Sequence, residues 1–159
     1  MPSREQTGAA APLPRDRADE LLYLSLRSIY HFERGLVEEF GLGFQEIILL
    51  QLLRRRESAR IGEIAKALEV PVFSATRLVK RLEAAGLLRK EPAAGDGRGI
   101  SAVLEPKGGK LVDAIEAASY RRIGGAAASL SPREREAFVL VAERLAPVLG
   151  VEDRIGLEG

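Results

Sequence analysis

Between Ile61 and Leu104 the spacing of apolar residues changes once, at Gly86, and this change constrains the fold more than any other feature of the chain. Before it, apolar residues recur every three or four positions. Ile61, Ile64, Ala65 and Leu68 form one stripe of a short helix predicted over 61–68. Glu69 and Val70 leave room only for a tight connection. Pro71 suits the first position of a following helix, where the missing N–H would have no helical partner anyway. That helix is predicted to run to about Ala85, with Ala75, Leu78, Val79 and Leu82 facing inward and Gly86 as its terminator. After Gly86 the segments 87–91 and 100–104 read as short strands, joined across a glycine-rich tip at 92–99.

Two short helices, a tight turn, a glycine and a two-stranded hairpin are the order of a winged helix-turn-helix. The predicted fold class is therefore mainly α with a small β-hairpin wing. Long helices flank it. Residues 15–40 carry Leu22, Leu26, Ile29, Phe32, Leu36 and Phe40 at helical spacing, and Leu21, Leu24 and Val37 widen that face. Such width predicts burial on two sides, inside the subunit and against a partner. Gly41-Leu42-Gly43 ends this helix, and a second follows over 44–56 with Ile47, Ile48, Leu50, Leu52 and Leu53 apolar. Pro106 opens another long helix through Leu111, Val112, Ile115, Ala118 and Ile123, weakened at Gly124-Gly125. Ser131-Pro132-Arg133-Glu134 is a capping box that starts the last helix, which carries Phe138, Val141, Leu145 and Leu149. The expected organisation is a single domain over 15–150, with a winged-helix lobe at 44–104 and dimerisation helices at 15–40 and 106–150. Residues 1–14 read as a disordered tail and 151–159 as a C-terminal tail.

Composition removes most other chemistries. There is no cysteine, and His31 is the only histidine, so disulfides, thiol redox sensing, thiolate zinc sites and His-based triads lose their raw material. No phosphate-binding glycine motif is present, so no enzyme and no cofactor or metal site is predicted. No apolar stretch is long enough to span a membrane, and residues 1–14 lack the apolar core of a signal peptide, so a soluble cytoplasmic protein is expected.

Net charge is only +1, but its distribution is uneven. Residues 54–98 hold eleven Lys and Arg against six acids, whereas the remainder holds thirteen against seventeen. A basic middle between acidic flanks is what an approach to phosphates requires. The second helix of a helix-turn-helix enters the major groove, so its outward face must carry donors and cations. Here that face holds Val72, Phe73, Ser74, Thr76, Arg77, Lys80 and Arg81. Arg77 can donate two parallel hydrogen bonds to guanine O6 and N7, Ser74 can reach a base or a phosphate, and Lys80 and Arg81 suit the backbone. Arg98, between glycines at the hairpin tip, suits a narrow minor groove. Val72 and Phe73 either press on thymine methyl groups or pack back on the protein, in which case base readout rests on Ser74 and Arg77.

These segments resemble the MarR family of multiple-antibiotic-resistance-type regulators. The resemblance rests on Ile61-Gly62-Glu63-Ile64-Ala65-Lys66-Ala67-Leu68, on residues 75–87 from Ala75 through Arg77, Leu82 and Gly86 to Leu87, and on Asp96-Gly97-Arg98. Leu104 to Gly108 and Leu130-Ser131-Pro132 with Glu134 extend it. Arg60 and Glu105 stand where the family has Thr or Ser helix caps, and Pro71-Val72-Phe73 replaces a segment that is usually polar. The resemblance implies a homodimer joined by its terminal helices, binding a pseudo-palindromic double-stranded DNA operator as a repressor. It also implies an effector, a small aromatic or phenolic acid, near the dimerisation helices. Tyr23, Arg27, Tyr30 and His31 on the first helix, with Phe44 and Ile48 on the second, have suitable chemistry, although such residues also serve as core and interface. The competing reading is a winged-helix protein-interaction module that never touches DNA, for which Val72 and Phe73 speak.

Overall fold

The structure, a computed structural model, describes residues 16–93 and 99–149. The tails expected at 1–14 and 151–159, and Asp96, Gly97 and Arg98 of the hairpin tip, lie outside the described residues. The described residues form six helices, α1 (Arg17–Phe40), α2 (Phe44–Arg56), α3 (Ile61–Ala67), α4 (Val72–Ala84), α5 (Pro106–Ala128) and α6 (Pro132–Leu149). Three strands accompany them, β1 (Ser58–Arg60), β2 (Leu88–Pro92) and β3 (Ile100–Leu104). The winged helix-turn-helix read from the sequence is the fold observed. No described helix is long and apolar enough to cross a membrane.

The chain divides into two compact units after Gly35. In the first, Asp16 starts α1 two residues later than the apolar spacing predicts. Its Oδ1 accepts from the N–H groups of Ala18 and Asp19 at 2.8 and 3.0 Å, as an N-cap does. Leu21, Leu22, Leu24, Leu26 and Ile29 are exposed in the single chain, and Leu36 is the one buried residue of α1.

The second unit holds the core. Leu49, Leu50 and Leu53 of α2, Ile64 of α3, Val79 and Leu82 of α4, Leu88 of β2 and Val112 of α5 are all buried together. Burying each such side chain contributes roughly 1.5–3 kcal/mol. On α2, Ile47, Leu50, Leu52 and Leu53 of the apolar residues read from the sequence are buried, Leu49 is buried with them, and Ile48 is only half-buried. The strands form one antiparallel sheet in the order β1-β3-β2, with Ala102 of the central strand opposite both Ala59 and Lys90. β1 is a strand that the sequence reading missed. The Ala93 N–H donates to the Gly99 carbonyl at 3.1 Å and closes the base of the wing.

Helix ends largely follow local chemistry. Pro71 is an exception: it is the N-cap of α4, not its first helical residue, and its carbonyl accepts from the N–H groups of Ser74 and Ala75. α5 runs on through Gly124 and Gly125 to Ala128. At the start of α6, Glu134 Oε2 accepts from the Ser131 hydroxyl at 2.6 Å and from its N–H at 2.8 Å. These two hydrogen bonds hold the Glu134 carboxyl below the usual carboxylate range.

The start of α5 lies against the chain at the end of α4. A Cβ on Gly108 would overlap the carbonyl oxygen of Leu87, a backbone atom that cannot swing aside, and would crowd Leu104 Cδ1. A Cβ on Gly125 would meet nothing within 4 Å. Gly108→Ala is expected to lower unfolding free energy by about 1–3 kcal/mol. Gly125→Ala, which relieves only the entropy cost of glycine in a helix, should raise it by roughly 0.5–1 kcal/mol. Chemical denaturation of the two variants checks the pair.

Candidate nucleic-acid interface

The helix-turn-helix is set by a reversal between α3 and α4. The Val70 N–H reaches back to the Ala65 carbonyl at 3.0 Å, and Glu69 takes a left-handed conformation with φ 52°. That hydrogen bond satisfies a carbonyl at the end of α3 and turns the chain sharply towards Pro71. At the far end of α4, Gly86 at φ 69° lets the Leu87 N–H return to the Leu82 carbonyl at 3.0 Å. Lys107 Nζ donates to the Ala85 carbonyl at 2.8 Å, placing a cation at the negative end of the helix dipole.

Between those ends α4 has two faces. Ala75, Leu78, Val79 and Leu82 are buried, the four residues expected there. Val72, Phe73, Arg77, Lys80 and Arg81 are exposed, while Ser74 and Thr76 are half-buried. Val72 and Phe73 are 58% and 66% exposed, so neither packs back on the core. The Thr76 hydroxyl donates to the Val72 carbonyl at 2.9 Å.

Pairing then sorts the cations of the basic middle. Arg54 meets Asp113 at 2.9 Å, Lys90 meets Glu83 at 2.7 Å, and Arg89 meets Glu91 and Glu105 at 3.1 and 3.2 Å. Glu105 is the N-cap residue of α5, and its side chain makes the ion pair with Arg89 and no cap hydrogen bond. Arg77 and Lys80 form no ion pair among the described residues. The first turn of α4 carries no acid. The outward face of α4 therefore presents the positive charge of Arg77 and Lys80 to solvent.

Arg81 behaves differently. Its Nε donates to Glu46 Oε1 at 2.6 Å, and Glu46 is only 7% exposed. The other oxygen of the same carboxylate, Oε2, accepts from the Gly43 N–H at 2.7 Å and caps the start of α2. One carboxylate therefore ties the first turn of α2 to the last turn of α4. The sequence reading missed Glu46. The Gly43-x-x-Glu46 spacing hints at the cap, but nothing local signals a partner 35 positions away.

Two pairs of the proposed effector residues on α1 are in contact. Arg27 lies over the Tyr23 ring at 5.8 Å and donates to its hydroxyl at 3.2 Å. Tyr30 and His31 meet edge to face at 5.7 Å. Phe44 is the exposed first residue of α2, and Ile48 is half-buried one turn later. A cavity of about 450 Å³ lies between the end of α2 and the start of α5, lined by Arg54, Glu57, Lys110 and Asp113 among others. None of the proposed effector residues lines it.

Residues 40–99 match the MarR family. No curated protein sequence matches the chain significantly. Among solved structures, a MarR family protein from Bacillus stearothermophilus is similar with a TM-score of 0.73 at 18% identity, over 84% of this chain and 93% of that one. A point mutant of S. aureus MepR bound to an oligodeoxyribonucleotide is similar with a TM-score of 0.63 at 20% identity, over 85% and 99%. Bordetella bronchiseptica BpsR, whose DNA binding is regulated by 6-hydroxynicotinic acid, is similar with a TM-score of 0.55 at 21% identity, over 79% and 98%. At such identities these likenesses speak for the fold.

The Arg81–Glu46 pair has a measurable weight. Arg81→Ala leaves a nearly buried carboxylate with one partner fewer and is expected to cost about 1–2 kcal/mol, less than a fully buried pair because the arginine is largely solvated. Lys80→Ala should change stability by less than about 0.5 kcal/mol. Urea unfolding curves of both variants separate the two cases.

Proposed function

We propose that this chain, which has the MarR-type winged helix-turn-helix fold and matches that family over residues 40–99, is a DNA-binding transcriptional regulator. The observation that carries the reading is the outward face of α4, where Arg77 and Lys80 are exposed and stand without ion-pair partners among the described residues, whereas Arg54, Arg89 and Lys90 are paired. In this reading α4 is the recognition helix in the major groove. Arg77 donates to a guanine edge, Ser74 and Thr76 lie beside it, and Lys80 meets phosphate. Arg81 holds the helix in place through Glu46 while its exposed side faces the backbone. Arg98, outside the described residues, is proposed to enter the minor groove.

The same reading makes the protein a homodimeric repressor on a pseudo-palindromic operator. Exposed apolar residues on α1, and Phe138, Val139, Leu140 and Val141 on α6, support a partner that covers them. Two recognition helices would then lie about 34 Å apart, one turn of the duplex. Release by a small aromatic acid is part of the proposal. Arg27 beside Tyr23 offers a cation and a ring to such a ligand, and BpsR supplies the precedent.

Fluorescence anisotropy with the DNA upstream of the protein's own gene, against a scrambled duplex at two salt concentrations, tests the reading. The native duplex should bind more tightly, and affinity should fall with salt. Arg77→Ala should cost about 1–3 kcal/mol and relax the preference, whereas Lys80→Ala should weaken both duplexes alike and reduce the salt slope by about one. Equal, salt-independent binding of both duplexes would favour a protein-interaction module, for which the exposed Val72 and Phe73 speak.

A further inference from the structure

We propose that the first turn of α4 reads the 5-methyl group of thymine through Val72 and Phe73, within about two base pairs of the guanine met by Arg77. This rests on the reading of α4 as a recognition helix and adds a base preference to it.

The argument begins with what that turn lacks. The side chains of Val72 and Phe73 offer no hydrogen-bond donor, and both stand well clear of the core. Thr76, on the same side, has already given its hydroxyl hydrogen to the Val72 carbonyl. The N-terminal residues of a recognition helix are the ones that meet base edges. In the major groove those edges are polar acceptors and donors, with a single apolar exception, the thymine methyl. An isopropyl or phenyl group pressed on a guanine or adenine edge would strip water from acceptors and give nothing in return. Pressed on a methyl, it buries apolar surface on both sides.

Charge argues for DNA as the occupant of this apolar turn. No acid lies in the first turn of α4, and Arg77 and Lys80 follow one and two turns later on the Phe73 side. Phe73 precedes Arg77 by four residues, about 6 Å along the helix axis, which is between one and two base-pair steps. The two readouts are therefore neighbours.

The test starts from a random-core duplex pool enriched on the purified full-length protein. The recovered duplex is then synthesised in two forms, with thymine and with deoxyuridine throughout the core, which removes only the methyl groups. The deoxyuridine form should bind about fourfold more weakly for each methyl contacted, the factor for one buried carbon. The double variant Val72→Ala/Phe73→Ala should keep the native circular dichroism spectrum and bind both forms equally. Enrichment followed by equal affinity of the native protein for the two forms overturns methyl readout and leaves DNA binding standing. A thymine preference that survives in the double variant overturns it as well, because the methyls are then read elsewhere. Failure of any sequence to enrich overturns the DNA reading itself and with it this inference.

Discussion

Thirteen residues of α4 carry two incompatible demands, and the lobe around it is arranged to meet both. One side must be apolar enough to stay docked, and the other must remain polar, charged and solvated. Ala75, Leu78, Val79 and Leu82 meet the first demand by burying themselves against α2, α3 and the sheet. The small Ala75 and Ala102, both without exposed surface, let backbones approach closely on that side. The second demand is met on the opposite face, by Arg77 and Lys80. A helix with this division cannot rotate about its axis without drawing a cation into the core, and that fixes which residues it presents.

Electrostatics then refines what the packing presents. Acids drawn from α4, α5, β2 and the residue before α5 neutralise Arg54, Arg89 and Lys90, so a cation-rich sequence does not become a uniformly positive surface. Surface pairs of this kind add little stability. Their consequence is to neutralise Arg54, Arg89 and Lys90, while Arg77 and Lys80 of α4 keep their charge open to solvent. Glu46 joins the two roles: it caps the helix that supports α4 and grips Arg81 at the end of α4 itself.

The helices of this protein are legible in its sequence because each is long enough to repeat the 3.6-residue period, and because glycine and capping residues mark the ends. Gly86 and the Ser131–Glu134 box stand where local chemistry alone places them. The inward face of α4 is legible for the same reason. β1 is not: three residues, Ser58 to Arg60, are too few to display an alternation, and they are a strand only because β3 lies beside them. Pro71 is displaced by one position because N-cap and first-turn proline share the same φ and differ in ψ, which its neighbours decide. Of the candidate interface, residue identities on the outward face were readable, while the commitment of Arg81 to Glu46 was not.

The order of the elements, the winged helix-turn-helix pattern and the residues that α4 turns away from its core are all dictated by the amino-acid sequence. They follow from periodicity and from short-range rules of caps and turns, which act within a few residues. Folding in three dimensions determines the rest: which cations are neutralised, why Gly108 must lack a side chain, and that Val72 and Phe73 stay in solvent. Each of these depends on atoms brought together from distant parts of the chain: Asp113 beside Arg54, Leu87 against Gly108, and a core already filled without Val72 and Phe73. Contacts of that kind are set by packing, where sequence separation carries no information about distance.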